Sequence, residues 1–202
     1  MTGTGVDQDA ALHEDAGNPS RREQILQAAA RLFAERGSRA VGVDDVGAAV
    51  GVTGPAIYRH FASKDAMLAE MLLRISERLL AGGTAVVRAA GDDPAAQLRA
   101  LIAWQVDFAL DNPALITVQD RDLGSLPEAD AAQVRRLQRR YVEVWVRVLR
   151  RLHEDAGTEA CRARAHAVFG LINSTPHSAG RLDRTATAAL LSAMAEAAAR
   201  GG

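Results

Sequence analysis

From Val46 to Lys64 the chain reads VGAAVGVTGPAIYRHFASK, and few folds accommodate that order of residues. Val43, Val46, Ala49 and Val50 fall on one face of a short helix. Gly51 follows, and glycine accepts positive φ without steric cost, so the chain can turn sharply there. Thr53 is placed to cap a second helix, and Pro55 sits where a first-turn proline forfeits no needed hydrogen bond. Ile57 and Phe61 form the buried face of that helix, predicted from Thr53 to Phe61, and Tyr58, Arg59 and His60 are left on its polar side. Ser63 and Asp65 then open a further helix with Lys64 at its N-terminus. The pattern is a helix-turn-helix that runs directly into the next helix. No acid lies between Asp45 and Asp65, so this surface can approach a polyanion without like-charge repulsion.

The rest of the chain also reads as helix, and the predicted fold is all-α with about nine helices. Ser20 and Glu23 make a capping box for a first helix that reaches Arg36. The helix opened by Ser63 carries Met67, Leu68, Met71, Leu72, Ile75 and Leu79 on one face, and Gly82-Gly83 is expected to kink or end it. Asp93-Pro94 and Asn112-Pro113 are both cap-and-proline starts. The first opens a helix with Leu98, Leu101, Ile102, Gln105 and Phe108 facing inward. Pro127 begins a long helix whose core face is Val134, Leu137, Tyr141, Val144, Trp145, Val148 and Leu152. Gly157-Thr158 opens an eighth helix expected to reach Gly180, and Asp183 caps a ninth. These last two are rich in alanine, so they can pack closely within the chain or against a second copy. The predicted organisation is an acidic tail over residues 1–19, a helix-turn-helix domain over 20–65, and a larger helical domain over 66–202.

Composition excludes several classes. The net charge of −1 is not that of a protein that coats DNA, so any contact with DNA must come from a local patch. Cys161 is the only cysteine, which excludes an intrachain disulfide and reads as a small buried hydrophobe. No apolar run is long enough to span a membrane, and the N-terminus has no apolar signal core. A cytoplasmic location is the expectation. There is no nucleophile elbow, phosphate loop, dinucleotide fingerprint or zinc-protease motif, and the five histidines are scattered. No enzyme, metal or cofactor is expected.

Gly51-Val52-Thr53, Ile57-Tyr58-Arg59-His60-Phe61 and Ser63-Lys64, behind the first helix Ile25 to Gly37, closely resemble the signature of the TetR/AcrR family of bacterial repressors. One departure is Gly42, where the family usually has Ser or Thr opening its second helix; glycine is a slightly poorer cap. The resemblance implies a three-helix DNA-binding head on a larger helical effector domain. It further implies a homodimer that reads a palindromic double-stranded operator, with effector binding moving the fourth helix. Tyr58 and Lys64 match positions that contact phosphate in the family. His60 and Arg59 join them, Arg59 reaching a phosphate or a base edge. Thr53, Gly54, Pro55 and Ala56 are expected at the exposed start of the recognition helix, where small apolar groups suit thymine methyls and shape readout.

Two further groups carry expectations. Trp104, Phe108, Tyr141, Trp145 and Phe169 each read singly as core, but together they fall where a TetR-like protein holds its effector. Pro176 should kink its helix, and Asn173 and His177, four apart, could fix a polar end of the ligand. Arg135 and Arg139, one turn apart on a basic helix face, are either solvated and paired with acids elsewhere or an anion site at the pocket mouth. The effector is expected to be a small hydrophobic molecule such as a fatty acid or an acyl-CoA thioester, or else a neutral hydrophobic drug. The alternative to a regulator is a helical small-molecule-binding or scaffold protein without operator specificity.

Overall fold

The computed structural model describes residues 19–178 and 182–201. Among these the chain forms ten α-helices, one 3-10 turn and no strand. The expected acidic tail, except Pro19, lies outside the described residues. The first helix, α1 (Arg21–Arg36), starts on the predicted box: the Ser20 amide donates to Glu23 Oε2 at 2.9 Å and the Glu23 amide to Ser20 Oγ at 3.3 Å. It ends at Gly37, whose φ of 87° only glycine adopts without strain. Next come α2 (Val43–Ala49) and α3 (Gly54–Ile57), joined through Gly51 at φ 70°. Gly42 caps α2 with its amide alone, which donates to Asp45 Oδ2 at 2.7 Å.

The helix α4 (Lys64–Ala89) is continuous, starting where Ser63 Oγ accepts the Ala66 amide at 3.0 Å. The expected break at Gly82-Gly83 does not occur. Both glycines are instead sites of close approach: a Cβ on Gly82 would stand 2.1 Å from Trp104 Cζ2, and one on Gly83 2.4 Å from Tyr141 Cε2. Two aromatic rings therefore lie directly on the α4 backbone. Around α4 pack α5 (Pro94–Asp111), α6 (Pro113–Asp122) and α7 (Glu128–Leu152), and a 3-10 turn, Leu123–Ser125, follows α6. Then come α8 (Thr158–Ile172), α9 (Thr175–Ser178) and α10 (Arg184–Arg200).

The predicted eighth helix is thus two, broken at Asn173-Ser174 just before Pro176. Proline disfavours helical geometry in the residue before it and supplies no amide, so a break serves where a kink was expected. The Thr175 hydroxyl, buried, donates to the Ala109 carbonyl at 3.3 Å and seats α9 on α5.

One apolar core runs from Ile25 and Phe33 in α1 through Met67, Leu72 and Leu79 in α4 to Trp145, Val168 and Ala195. It unites a small N-terminal head (α1 to α3) with the larger bundle. Two polar clasps add to it. Arg22 donates to Glu70 Oε1 at 2.8 Å and to the His60 carbonyl, and stacks over the Phe61 ring at 4.3 Å, so α1, the end of α3 and α4 are held together. At the other end of α1, Arg121 donates to the carbonyls of Phe33 and Ala34, and the Ser38 hydroxyl donates to Asp122 Oδ1 at 2.8 Å. Ser38 and Asp122 are both buried.

Candidate DNA interface and effector cavity

Only Gly54–Ile57 of the recognition segment is α-helical; Tyr58 to His60 continue as a turn. The His60 amide donates to the Ile57 carbonyl at 2.8 Å, a tighter winding than the longer helix predicted. Ile57 and Phe61 are buried as expected. Thr53 makes no side-chain cap, so its hydroxyl stays free of the helix it precedes. Thr53, Pro55, Tyr58 and Arg59 are exposed, with Tyr58 at 56 %, the most exposed of the large hydrophobic side chains described. Ala56 and His60 are half-buried.

Gly54 departs from expectation, because it is buried. A Cβ there would meet Asp44 Oδ1 at 1.9 Å, so this glycine lets α3 approach α2 and presents no surface of its own. Lys64 is half-buried, and its Nζ donates to the Val41 carbonyl at 3.0 Å and the Arg39 carbonyl at 3.4 Å. An ammonium group carries three donors, so Lys64 ties the α1–α2 turn to the start of α4 and keeps one donor free.

A cavity of about 510 Å³, open to solvent on one side, lies between α4, α5, α6, α7 and α8. Of the residues singled out from sequence, Tyr141, Phe169, Asn173 and Arg135 line it. Tyr141 and Phe169 stack at 5.6 Å. Trp145 is fully buried behind them, edge-on to Phe169 at 5.0 Å, and does not reach the cavity. Trp104 lies over Gly82, Phe108 faces a separate cleft, and His177 is exposed. The aromatic box expected around the ligand is therefore divided. Helical periodicity gave the inward face correctly, but that face meets packed side chains in one place and empty space in another.

The cavity wall is more polar than expected. Tyr141 Oη donates to Gln105 Oε1 at 2.9 Å, and Gln105 Nε2 donates to Asn173 Oδ1 at 3.1 Å. This three-residue ladder crosses from α7 through α5 to the end of α8 and fixes the Gln105 amide in one orientation. Burial pushes the Tyr141 phenol up, so it stays a neutral donor. Ser76, Gln119, Asp120, Gln138 and His166 complete the polar part. Desolvation raises the Asp120 carboxyl above its ordinary value, with the charge of His177 acting against it. The sequence signal for this wall was Gln105, an amide on an otherwise apolar face.

Arg135 reaches the cavity but pairs with Glu128 at 2.6 Å, while Arg139 lies on the exposed side of α7 away from it. The two-arginine site reduces to Arg135. Glu143 of α7 pairs with Arg162 of α8. No group of histidine, cysteine and acidic side chains among the described residues could hold a metal ion, and no helix among them is long and apolar enough to cross a membrane.

Residues 25–71 match the sequence profile of the bacterial regulatory proteins of the tetR family, and residues 91–198 that of the tetracyclin repressor-like C-terminal domain. The chain is 33 % identical over 138 residues to the HTH-type transcriptional repressor KstR2 of Rhodococcus jostii (strain RHA1), covering 67 % of each chain. It is 32 % identical over 160 residues to the HTH-type transcriptional activator FasR of Mycolicibacterium smegmatis, covering 79 % of this chain and 70 % of that one. In fold it is similar to the TetR family regulator PfmR of Thermus thermophilus, with a TM-score of 0.78 and 24 % identity over 92 % of this chain and 98 % of that one. AibR, solved in complex with isovaleryl coenzyme A and operator DNA, superposes with a TM-score of 0.70 at 18 % identity, over 86 % of this chain and 97 % of that one. KstR2 and FasR are transcriptional regulators and not enzymes, and this chain belongs to the TetR family of DNA-binding transcriptional regulators.

Proposed function

We propose that this protein is a ligand-responsive repressor that binds a palindromic operator as a homodimer and is released when a small molecule fills the cavity between α4 and α8. The observation that carries the reading is the double use of residues 119–124. Gln119, Asp120, Leu123 and Gly124 line the cavity, while the intervening Arg121 and Asp122 grip the end of α1 and Ser38 in the head. A ligand that displaces this segment changes the seat of the head. It shifts the DNA-binding equilibrium by as much as its affinity differs between the two arrangements.

On the DNA side, Tyr58, His60, Arg59 and the free donor of Lys64 contact phosphates and set the register. Thr53, Pro55 and Ala56 meet the base edges, with Gly54 supporting them from behind. The dimer forms through α8 and α10. Leu182, Leu190 and Met194 are 53 %, 49 % and 48 % exposed, and all three lie on or beside α10. Alanines 163, 167, 189, 193 and 197 flank them with exposed small side chains. Association would cover this apolar surface. Such a protein works in the cytoplasm, where its operator is.

The effector is amphipathic. The Tyr141–Phe169 pair offers an apolar surface, the ladder offers hydrogen bonds along one side, and Arg135 stands ready for an anion. Glu128, which now holds Arg135, is 85 % exposed, so a ligand carboxylate or phosphate displaces it at little cost. A fatty acid or short acyl-CoA thioester meets these demands, and AibR was solved in complex with a ligand of the second kind, isovaleryl coenzyme A. The test is titration of the protein–operator complex. Acyl-CoA should release wild-type protein, and Arg135→Gln should blunt release without weakening operator binding. If specific and random DNA bind alike at physiological salt, the protein is a helical binding or scaffold protein and the operator reading fails.

A further inference from the structure

We infer that a second cleft, at the joint between head and bundle, binds a small amphipathic carboxylate. The cleft has a volume of about 380 Å³ and lies between α1, α4 and the α5–α6 corner. Leu26, Met71, Phe108 and Leu115 form its apolar floor, and Arg31 of α1 and Arg78 of α4 stand at its rim. It shares no lining residue with the cavity described above. Phe108, expected from the sequence to contact a ligand, faces this cleft.

The charge balance decides the ligand class. The other ionic groups of the cleft are already engaged. Arg74 pairs with Glu70 at 2.8 Å, Asp111 accepts from Arg184 at 2.8 Å, and the Glu23 carboxylate accepts the Ser20 amide at 2.9 Å. Among the described residues, neither the Arg31 nor the Arg78 side chain has an ion pair or a hydrogen bond. Arg78 is nevertheless held over the floor, its guanidinium carbon 5.7 Å from the centroid of the Phe108 ring. Two cations without acids, above an apolar floor, complement a ligand with one anionic end and a short hydrocarbon or aryl body. A carboxylate suits them because guanidinium groups bind it through paired hydrogen bonds. Since Arg31 belongs to the head and Arg78 to α4, a carboxylate held by both would cross-link the two and stiffen the joint.

The experiment is calorimetric titration of the full chain with decanoate and with decanol, its neutral counterpart. Four proteins are compared: wild type, Arg31→Gln/Arg78→Gln, Arg31→Lys/Arg78→Lys and Arg135→Gln. The expected result is two decanoate sites in wild type: the one in this cleft at least about tenfold weaker in the double glutamine variant, partly recovered with lysine and undisturbed in Arg135→Gln, and the one in the first cavity weakened only by Arg135→Gln. Decanol should bind weakly and equally to all four. The inference is overturned if decanoate binds wild type and the double glutamine variant alike, if decanol matches decanoate in wild type, or if Arg135→Gln alone removes all decanoate binding. The last outcome would place decanoate in the first cavity only, leaving the effector reading intact while removing this one.

Discussion

Removing the Ser38 hydroxyl should cost far more than a serine-to-alanine change on a surface turn. Ser38 is 4 % exposed and Asp122 6 %, and their hydrogen bond is 2.8 Å long. A hydrogen bond to a charged acceptor contributes about 1.5–3 kcal/mol, and with both ends out of water there is little solvent to replace the lost donor. The neighbouring Arg121–Asp122 pair, at 3.1 Å, helps less, because the arginine side chain is 41 % exposed. Ser38→Ala should therefore destabilise the fold by about 2 kcal/mol, a fall of roughly 4–8 °C in melting temperature for a chain of this size. Asp122→Ala should cost more, since it also frees Arg121 from its acid. A double-mutant cycle with urea unfolding isolates the Ser38–Asp122 interaction from these other losses, and the expected coupling is about 2 kcal/mol. A coupling below about 0.5 kcal/mol would refute the reasoning, because the clasp between head and α6 would then contribute no more than two distant, independent residues do.

Four other outcomes follow from the same geometry. Gly83→Ala should destabilise the protein by about 1–3 kcal/mol in thermal melts, although alanine is the better helix former, because the new methyl meets the Tyr141 ring. Tyr58→Phe should weaken operator and random DNA by a similar factor of about five in fluorescence anisotropy, while altered base preference would move Tyr58 from phosphate to base. Asp120→Asn should stabilise the protein near pH 7 and have little effect near about pH 3 in pH-dependent melts. The raised carboxyl favours the protonated form in the fold, so its contribution is lost as the pH rises through the folded value. Leu190→Asp with Met194→Asp should give monomers by analytical ultracentrifugation; an unaltered dimer would move the interface away from α10.

Element existence was legible because the caps are local. Ser20 with Glu23, Ser63, Asp93 before Pro94, and Asp183 each announced a helix start, and each side chain accepts the expected amide. Gly82-Gly83 misled because glycine serves two physical ends, a break in the backbone and room for a neighbour, and only the partner helix distinguishes them. Gly54 misled in the same way, since its partner is the side chain of Asp44. The recognition helix is shorter than its apolar spacing suggested, because Ile57 and Phe61 remain on one side even when the last turn tightens. Among the aromatics, periodicity separated inside from outside but not wall from core, so Trp145 and Phe169 looked equivalent. The clasp of Ser38 with Asp122 left no trace at all, because its partners are 84 residues apart and nothing local requires either.

If the bundle cavity takes an effector as proposed, the alternation along residues 119–124 has a consequence for anyone who wishes to retune this protein as a sensor. Within one short segment, neighbouring side chains answer to different selections. Gln119, Asp120, Leu123 and Gly124 meet whatever small molecule occupies the bundle, whereas Arg121 and Asp122 meet the protein's own head. A library that randomises the whole segment would mostly yield proteins deaf to every inducer, since signal transmission would be lost along with recognition. A library that varies only the four cavity positions and holds the arginine–aspartate pair fixed can change what is sensed while preserving how the answer reaches the DNA.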